Sequence, residues 1–384
     1  MKSKVFELLH TTKIIHGEGS LAKMAERLKS SDYKRSLIVT DDTLVKTGLV
    51  DKVVNSLENE GVEAVIYSKI EPNPTAEAVD EGYEWVKEYR VDNIIAVGGG
   101  SSIDAAKSIS VLATNGGNIR DYEGMNTWKT DKMYLTAVPT TVGTGSEVTF
   151  GSVITDNERQ LKMVVAGEDL SPALAILDPA MIAELPPKVT ASTGMDALTQ
   201  AIESYVSSNA TPITEALSIH AIGMIAENIR PAVLSNDFKA LENMQMAATI
   251  AGISFINGGL GIVHGMANTV GGFYNTPHGV TNAVILPYGM EYNLSTNLDK
   301  FLKIAEALGE NIERLSVREA AEKAVGGVNA LLEDLNMPTK LSDLDVDDEN
   351  IERMAEYALV NNDTQTNPRH CTTESITNLY RMTL

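Results

Sequence analysis

The clearest indication of the architecture is the stretch Asn93-Ile-Ile-Ala-Val97, which runs directly into Gly98-Gly-Gly-Ser-Ser-Ile-Asp104. The short β-branched and apolar run predicts a buried strand, and the apolar residues that continue to Leu112 predict a helix. Three glycines allow the backbone to come close to a ligand, and free N–H groups at a helix start bind phosphate. A tight turn without a ligand is the alternative, but the order strand, glycines, helix favours a phosphate-binding loop.

Similar apolar runs occur on both sides of this stretch. They predict further strands at residues 36–40, 63–67, 134–138 and 173–177, while helical spacing predicts helices at 49–59 and 76–89. Strands separated by single helices form βαβ units with a parallel sheet. Runs of Val, Ile and Leu are typical of strands covered on both faces. The sequence therefore predicts an α/β domain with a parallel sheet flanked by helices.

The pattern changes after Pro186-Pro187. Strand-like runs stop, and helical patterns follow at residues 190–207, 212–229, 238–256, 298–308 and 317–335. We therefore predict a dinucleotide-binding α/β domain over residues 1–186 and an all-helical domain over residues 187–384.

Composition and charge narrow the class of protein. A net charge of −21 over 384 residues disfavours nucleic acid and anionic membrane surfaces as partners. The single cysteine, Cys371, excludes an internal disulfide framework and suits a cytoplasmic protein. Residues 243–290 lack charged side chains, but glycines and Pro277 interrupt them, so they predict buried helices instead of a membrane span.

Two other sites at strand ends carry polar side chains. Asp41 follows the first predicted strand, where a carboxylate could bond ribose hydroxyls and repel a 2′-phosphate, which favours NAD over NADP. The alternative is a helix N-cap shared with Asp42. After the strand at 134–138, a second loop concentrates hydroxyl groups that could donate to phosphate or nicotinamide: Thr140, Thr141, Thr144 and Ser146.

The second half contains candidate metal ligands. Asp196 and Gln200 lie four residues apart in a helical stretch and so share one face. His264 and His278 lie beside glycines in the charge-free stretch. One carboxylate and two imidazoles suit a divalent transition metal with positions left open, whereas the Gln200 amide is a weaker donor than imidazole.

At these residues the sequence resembles the iron-dependent (group III) alcohol dehydrogenases. The resemblance runs from Thr12 to Arg369 and is carried by specific motifs: Glu71-Pro-Asn-Pro-Thr75, Gly98 to Asp104, Pro139 to Thr149, Gly194-Met-Asp-Ala-Leu198 and Pro277-His-Gly279. It implies an N-terminal dinucleotide-binding domain, a helical C-terminal domain and an active site in the cleft between them. It also implies hydride transfer between NAD and a small alcohol or aldehyde, with a metal polarising the oxygen.

The resemblance assigns roles to individual positions. By position, the NAD contacts are Asp41, Asn73, Gly98, Gly99, Ser101, Ser102, Asp104, Thr140, Thr141, Thr144 and Lys162. The metal positions are Asp196, Gln200, His264 and His278, and pocket positions are Phe150, Phe255, Asn257 and Asp363. Iron(II) is the expected metal, with zinc, nickel or manganese as alternatives. Family members also imply a homodimer or a higher homo-oligomer, in which the segment Lys13–Gly17 could pair across a two-fold axis.

Two positions depart from the family pattern. The family has histidine where this chain has Gln200, and it often has a second histidine where this chain has Asn268. That histidine is usually placed near the substrate, so Asn268, which cannot titrate, leaves the proton to water, the ribose or another group. His264, His278 and Asn268 are therefore the candidate catalytic residues.

The predicted function is an NAD-dependent alcohol dehydrogenase or aldehyde reductase for a small primary alcohol or diol. Two alternatives stay open. One is an NAD-binding paralogue whose metal site has decayed and which has no redox activity. The other is a different reaction on the same architecture, such as that of a glycerol-dehydrogenase-like polyol oxidoreductase or a dehydroquinate synthase, which also bind metal with one acid and two histidines.

Overall fold

The computed structural model describes residues 5–159 and 161–384. Residues 1–4, which fall in the predicted domain 1–186, lie outside the described residues. The described chain contains nine strands: β1 (Lys13–His16), β2 (Arg35–Val39), β3 (Glu63–Tyr67), β4 (Asn93–Gly98), β5 (Gly124–Met125), β6 (Leu135–Pro139), β7 (Gly151–Asp156), β8 (Leu161–Ala166) and β9 (Leu174–Leu177). Its fourteen α-helices are α1 (Ser20–Ser30), α2 (Asp42–Lys46), α3 (Leu49–Asn59), α4 (Ala76–Tyr89), α5 (Gly100–Asn115), α6 (Pro187–Val206), α7 (Pro212–Leu234), α8 (Phe238–Gly258), α9 (Ile262–Tyr274), α10 (His278–Asn293), α11 (Leu298–Ala307), α12 (Val317–Asp334), α13 (Ile351–Val360) and α14 (Thr373–Thr383).

The main sheet is parallel and has the strand order β1-β9-β6-β4-β2-β3. The five predicted strands are β2, β3, β4, β6 and β9, and the predicted α/β fold class is confirmed. The segment Lys13–His16 pairs with β9 of its own chain, and the predicted pairing across a two-fold axis stays a prediction. This placement makes β1 one of the two edge strands of the sheet.

Alternate residues of the central strands face two different hydrophobic cores. Leu37 and Ile94 pack in one core with residues of α4 and α5. Ile38 and Ile95 pack in the other core with residues of α1 and α3. Because side chains alternate along a strand, these buried runs cover both faces of the sheet, as their composition predicted.

A second, three-stranded sheet was not predicted. In it β8 pairs with β5 in parallel and with β7 in antiparallel orientation. β7 and β8 alternate buried and exposed positions, so they lack the continuous apolar runs by which the strands of the main sheet were recognised.

The chain forms two compact units. One comprises residues 9–141 and 145–184, and contains both sheets. The other contains residues 185–384 with residues 142–144 and 5–8, and its regular structure is helical. Within it, α6, α7 and α8 pack against one another, and α10 packs on both α6 and α9.

Glycines allow close approaches between the helices of this unit. A Cβ atom on Gly279, in α10, would lie 2.4 Å from the backbone oxygen of Ser192 in α6. A Cβ atom on Gly265, in α9, would lie 1.9 Å from the Thr364 hydroxyl. These glycines therefore set how closely α9 and α10 approach their neighbours.

In the part of the chain that the structure describes, no single helix is long and apolar enough to cross a membrane. One pair, α8 with α9, passes the same test of length and composition, but it is bent by 100° at its break. Both helices have many side chains buried within the protein, including Met244, Ala251 and Val270.

Candidate functional site

Three metal-ligand side chains converge in the helical unit. Asp196 lies in α6, His264 lies in the first turn of α9, and His278 begins α10. One donor atom from each lies within 4.8 Å of the other two. Oδ1 of Asp196 is 3.6 Å from Nε2 of both histidines. Residues that are far apart in the sequence thus form one cluster, which we call the Asp196–His264–His278 cluster.

Burial differs among the three side chains. Asp196 and His264 are each 3% exposed, whereas the His278 side chain is 40% exposed. The cluster therefore has a buried side, formed by α6 and α9, and an accessible side at the start of α10.

Glu203 holds His264 in place. It lies seven residues after Asp196 on α6, close to the same helix face. Its carboxylate accepts a hydrogen bond from Nδ1 of His264 at 2.6 Å, and also from the backbone N–H groups of Val263 and His264. Because Nδ1 donates to Glu203, Nε2 is the nitrogen directed at the cluster. This carboxylate–histidine arrangement is typical of metal ligands and raises their basicity.

Two amide side chains complete the surroundings of the cluster. Gln200 donates from Nε2 to Oδ2 of Asp196 at 3.1 Å. Asn282, one turn after His278 on α10, donates from Nδ2 to Oδ1 of Asp196 at 2.7 Å. Both side chains are buried, and among the described residues neither Oε1 of Gln200 nor Oδ1 of Asn282 has a hydrogen-bond partner.

The protonation of the cluster follows from its charges. Burial by itself lowers the pKa of His264, but the Asp196 and Glu203 carboxylates outweigh it and raise that pKa to about 10. Burial raises the pKa of Asp196, but His278, His264 and the Asn282 amide bring it below its usual value. The site therefore attracts positive charge, and the proton on His264 is what a metal ion would replace.

The residues present fit a divalent transition metal. One carboxylate oxygen and two imidazole nitrogens suit such an ion, and fewer than four charged or imidazole donors leave room for substrate. Two buried amide oxygens that have no hydrogen-bond partner among the described residues are further neutral donors beside them. Of the four predicted metal positions, the structure brings Asp196, His264 and His278 into direct convergence, while Gln200 donates a hydrogen bond to Asp196.

Asn268 lies one turn after His264 on α9. Its Nδ2 donates to Oδ2 of Asp363 at 2.9 Å, so two residues that the sequence nominated separately form a pair. Burial raises the pKa of Asp363, while the nearby His264 lowers it and Glu203 raises it further. A titratable carboxyl group therefore lies beside the asparagine that cannot titrate.

In the other unit, the glycine-rich loop joins β4 to α5. Gly98 has φ +152°, and a Cβ atom there would lie 2.4 Å from the Ser102 hydroxyl oxygen. Gly99 precedes the first residue of α5, and Ser101 and Ser102 lie in its first turn. The first N–H groups of an α-helix have no partner within the helix and carry a partial positive charge. Because a side chain at position 98 would collide with Ser102, glycine is required where the chain passes from β4 to α5.

Next to this loop, the buried Lys107 organises a polar cluster that the sequence did not indicate. Its Nζ donates to Thr149 Oγ1 at 2.9 Å, to Ser146 Oγ at 3.0 Å and to the Gly151 carbonyl at 2.7 Å. Asp104 lies 3.4 Å from the same nitrogen and accepts from the Val153 N–H at 2.9 Å. Burial lowers the pKa of Lys107, although Asp104 and Glu147 oppose this. Asp104 and Ser146, predicted to contact NAD, are engaged in holding this cluster together.

Asp41 adopts the capping role that was one of its two interpretations. Its side chain accepts from the Leu44 N–H at 2.9 Å and caps α2. Asp42 does not share this role and forms an ion pair with Lys46. The ribose contact stays a prediction, and capping by one oxygen of Asp41 is compatible with it.

Of the other predicted cofactor positions, all but Thr144 lie in the sheet-containing unit. Nζ of Lys162 donates to Oδ1 of Asn73 at 2.9 Å, and burial lowers the pKa of Lys162. Asn73 has φ +58°. Thr140 lies directly after β6 and is buried. A Cβ atom on Gly99 would lie 3.1 Å from Cγ2 of Thr141, so this threonine lies close to the loop. Thr144 belongs to the helical unit, and so do Phe255 and Asn257, whereas Phe150 packs on a core of the sheet-containing unit.

The sequence analysis missed Glu203, Asn282 and Lys107. For the first two there was a usable signal, because Glu203 lies three residues after Gln200 and Asn282 lies four after His278, which places them on the ligand faces of their helices. Lys107 could have been noticed as the single basic residue within an apolar helical pattern.

Comparisons with known proteins give family matches in both halves of the chain. Residues 11–179 match the family model "Iron-containing alcohol dehydrogenase", and residues 190–384 match "Fe-containing alcohol dehydrogenase family, C-terminal". The chain is 40% identical over 369 residues to an NAD-dependent methanol dehydrogenase of Bacillus methanolicus, covering 96% of this chain and 97% of that protein. It is also 40% identical over 384 residues to a 1,3-propanediol dehydrogenase of Citrobacter freundii, covering 99% of each.

The fold agrees as closely. A crystal structure of a 1,3-propanediol oxidoreductase superimposes with a TM-score of 0.97 at 39% identity, covering 99% of this chain and 100% of the other. The chain belongs to the iron-containing alcohol dehydrogenase family.

Proposed function

We propose that the protein is an NAD-dependent alcohol dehydrogenase that interconverts a small primary alcohol or diol with its aldehyde. The observation that carries the proposal is the Asp196–His264–His278 cluster, with Glu203 behind His264. Named relatives of similar length that act on methanol and 1,3-propanediol support a small alcohol as the substrate.

In this proposal Asp196, His264 and His278 hold a divalent metal, iron(II) by family, and an amide oxygen is available as a fourth donor. When bound, the metal supplies a Lewis acid for the substrate oxygen and NAD supplies the hydride acceptor. Glu203 fixes the His264 ring through Nδ1, so that Nε2 stays directed at the metal position. Because His278 is the exposed member of the cluster, we propose that substrate reaches the cluster from its side.

The cofactor is proposed to lie at the glycine-rich loop. Gly98 and Gly99 bring the backbone close to the pyrophosphate at the start of α5, and Ser101 and Ser102 add hydroxyl donors there. Asp41 accepts from the ribose hydroxyls and disfavours a 2′-phosphate. We propose contacts from Asn73, Lys162, Thr140, Thr141 and Thr144 as well, with the NAD-binding domain ending near residue 186.

Oxidation of the alcohol releases one proton as well as the hydride. Asn268 cannot accept it, and the Asp363 carboxyl to which Asn268 donates is the neighbouring group that can. Burial raises the pKa of Asp363, which makes this carboxylate a better base than an exposed one. We propose that the proton is held at Asp363, with Asn268 fixing its orientation.

We further propose that the enzyme acts in the cytoplasm as a homodimer or higher homo-oligomer. Its single cysteine, Cys371, is buried, and a chain with one cysteine forms no internal disulfide, as suits a reducing compartment. Along the described residues, β1 pairs with a strand on one side only, which leaves its other edge for a second copy of the chain.

The test is turnover with defined metal content. The protein is stripped with a chelator, repleted separately with iron(II), zinc, manganese or nickel, and assayed for NADH and NADPH oxidation with short aldehydes and hydroxyaldehydes. We expect activity that disappears on stripping and returns with metal, with NADH preferred. Tight NADH binding without turnover under any metal would instead support the decayed paralogue, and a preference for glycerol oxidation would support the polyol alternative.

A further inference from the structure

The amide of Asn282 lies at the point on which the three metal-ligand atoms converge. Its Nδ2 is 2.7 Å from Asp196 Oδ1, 3.1 Å from His264 Nε2 and 3.0 Å from His278 Nε2. Asn282 is fully buried. An amide NH₂ group has two hydrogens, so it cannot form hydrogen bonds to all three of these atoms. A single cation at this point would interact with all three.

The carbonyl oxygen of the same amide differs from the NH₂ group in its hydrogen bonding. Oδ1 of Asn282 is buried and has no hydrogen-bond partner among the described residues. Buried polar atoms are nearly always paired, so an unpaired one calls for a ligand. Amide carbonyl oxygens are ligands of divalent cations, and the terminal torsion of asparagine has two broad minima that exchange oxygen and nitrogen. Turning the amide therefore presents Oδ1 to the cluster.

Gln200 does not lie at the point on which the three metal-ligand atoms converge. Its Nε2 contacts Oδ2 of Asp196, whereas both histidines and Asn282 approach Oδ1. Gln200 therefore holds the carboxylate by the oxygen that does not contact the histidines. Although Gln200 occupies the place of the family's histidine ligand, its contacts are those of a residue that orients Asp196.

We propose that Asn282, through Oδ1, is the fourth protein ligand of the metal in this chain, and that Gln200 is a positioning residue for Asp196. Without metal, the NH₂ group of Asn282 faces the three ligand atoms. With metal, the carbonyl oxygen faces the cation. This inference rests on the proposed function for the presence of a metal, and it explains how a chain that lacks the histidine at position 200 keeps four protein donors.

The two amides can be distinguished by matched charge substitutions, Asn282→Asp and Gln200→Glu. Each keeps an oxygen, removes an N–H donor and adds a negative charge. An added charge on a ligand strengthens binding of a divalent cation. A charge added at Gln200 attracts the cation from a greater distance and also repels the Asp196 carboxylate that it contacts. We expect Asn282→Asp to bind metal about tenfold more tightly than the wild type, as ligand charge tunes affinity, and Gln200→Glu to gain clearly less than Asn282→Asp.

The measurement is competition of full-length, metal-stripped protein with a chromophoric chelator for Zn²⁺ and Mn²⁺, together with the visible spectrum of the Co²⁺ form. Circular dichroism and thermal unfolding of each metal-free variant check that it folds. If buried charge prevents Asn282→Asp from folding, Asn282→Ala and Gln200→Ala replace the pair. Asn282→Ala should then change the Co²⁺ spectrum, and Gln200→Ala should leave its band positions unchanged.

Tighter binding by Gln200→Glu with weaker binding by Asn282→Asp would overturn the proposal and make Gln200 the ligand. Weaker binding by both would also overturn it and leave three protein ligands. Neither result depends on turnover, since the readouts are affinity and spectrum. Failure of the proposed dehydrogenase activity would show separately, as a metal-loaded wild type that binds NADH and reduces no aldehyde.

Discussion

The glycine-rich loop after β4 and the Asp196–His264–His278 cluster are built in different ways. Beside the loop, the polar side chains are paired with one another, as Lys107 is with Ser146, Thr149 and Asp104. In the cluster, the buried amide oxygens of Gln200 and Asn282 have no hydrogen-bond partner among the described residues. The loop therefore depends on backbone geometry, whereas the cluster depends on individual donor atoms, two of which are left for a ligand.

The strongest test of this comparison is removal of a cluster ligand. Asp196→Ala should abolish metal binding and lower kcat/KM at least about a thousandfold, because a Lewis acid contributes several kcal/mol to such a reaction. NADH binding, measured by fluorescence titration, should be retained. The matched control is an exposed histidine on α7, His220→Ala, which should leave both unchanged. Metal-dependent turnover by Asp196→Ala would refute the assigned site.

The second test concerns the support behind His264. Glu203→Gln should weaken metal binding about 10- to 100-fold, as is typical when the partner of a metal-bound histidine is lost. The reason is that one carboxylate accepts from the His264 ring and from two backbone N–H groups, and an amide cannot accept all three. Chelator competition measures the change, with the α7 surface variant Glu215→Gln as control. Equal metal affinities in the two variants would show that Glu203 does not support metal binding.

Substitution in the loop should act through the backbone. Gly98→Ala places a Cβ against Ser102 in a region of φ that side chains avoid, and should cost about 1–3 kcal/mol of stability. We expect NADH affinity to fall about tenfold or more because the loop shifts, while metal affinity stays unchanged. Isothermal calorimetry for both ligands checks this separation.

Gly326→Ala is the control for that experiment, since a Cβ there meets nothing within 4 Å. It lies inside α12, so alanine should stabilise the protein by up to about 1 kcal/mol. Unchanged NADH binding by Gly98→Ala would mean that the loop does not bind the cofactor.

Cofactor preference tests Asp41 without removing its cap. Asp41→Ser keeps a good N-cap for α2 but removes the negative charge. We expect the ratio of kcat/KM with NADPH to kcat/KM with NADH to rise about tenfold. The reason is that NADH loses one hydrogen bond to a charged group. Asp42→Ser, the neighbouring exposed charge, should leave the ratio unchanged. If both variants shift it equally, the effect is general electrostatics and not a ribose contact.

The smallest expected effect is on acid stability in the sheet-containing unit. Hydrogen bonds from Arg159, opposed by burial and assisted by Arg120, lower the pKa of the buried Asp156 to about 2. A depressed folded-state pKa stabilises the protein above the unfolded value, and this stabilisation disappears as pH falls from about 4 to about 2.

In Asp156→Asn, the free energy of unfolding should therefore fall less steeply between these pH values than in the wild type. Urea unfolding at several pH values measures this slope. Glu313→Gln, an exposed carboxylate, should leave the wild-type slope. An unchanged slope in Asp156→Asn would show that other carboxylates dominate the acid response.

Much of this protein could be predicted from local sequence. The strands 63–67 and 93–97 and the helices 49–59 and 76–89 are continuous apolar or periodic runs, so their type and position follow from local patterns. The sheet β5-β8-β7 was missed because its strands are half exposed. α9 and α10 had no individual prediction, because glycines and the internal Pro287 interrupt their patterns.

The fold class, the glycine-rich loop and three side chains of the cluster could be predicted from the sequence, because these depend on residue type and on local spacing. Which amide meets the histidines could not be predicted in this way, since α6, α9 and α10 converge from distant parts of the chain. The tertiary structure placed Asn282 where Gln200 was expected and joined Asn268 to Asp363. The physical reason is that helix packing sets the distances between side chains on different helices, and no spacing along one helix contains that information.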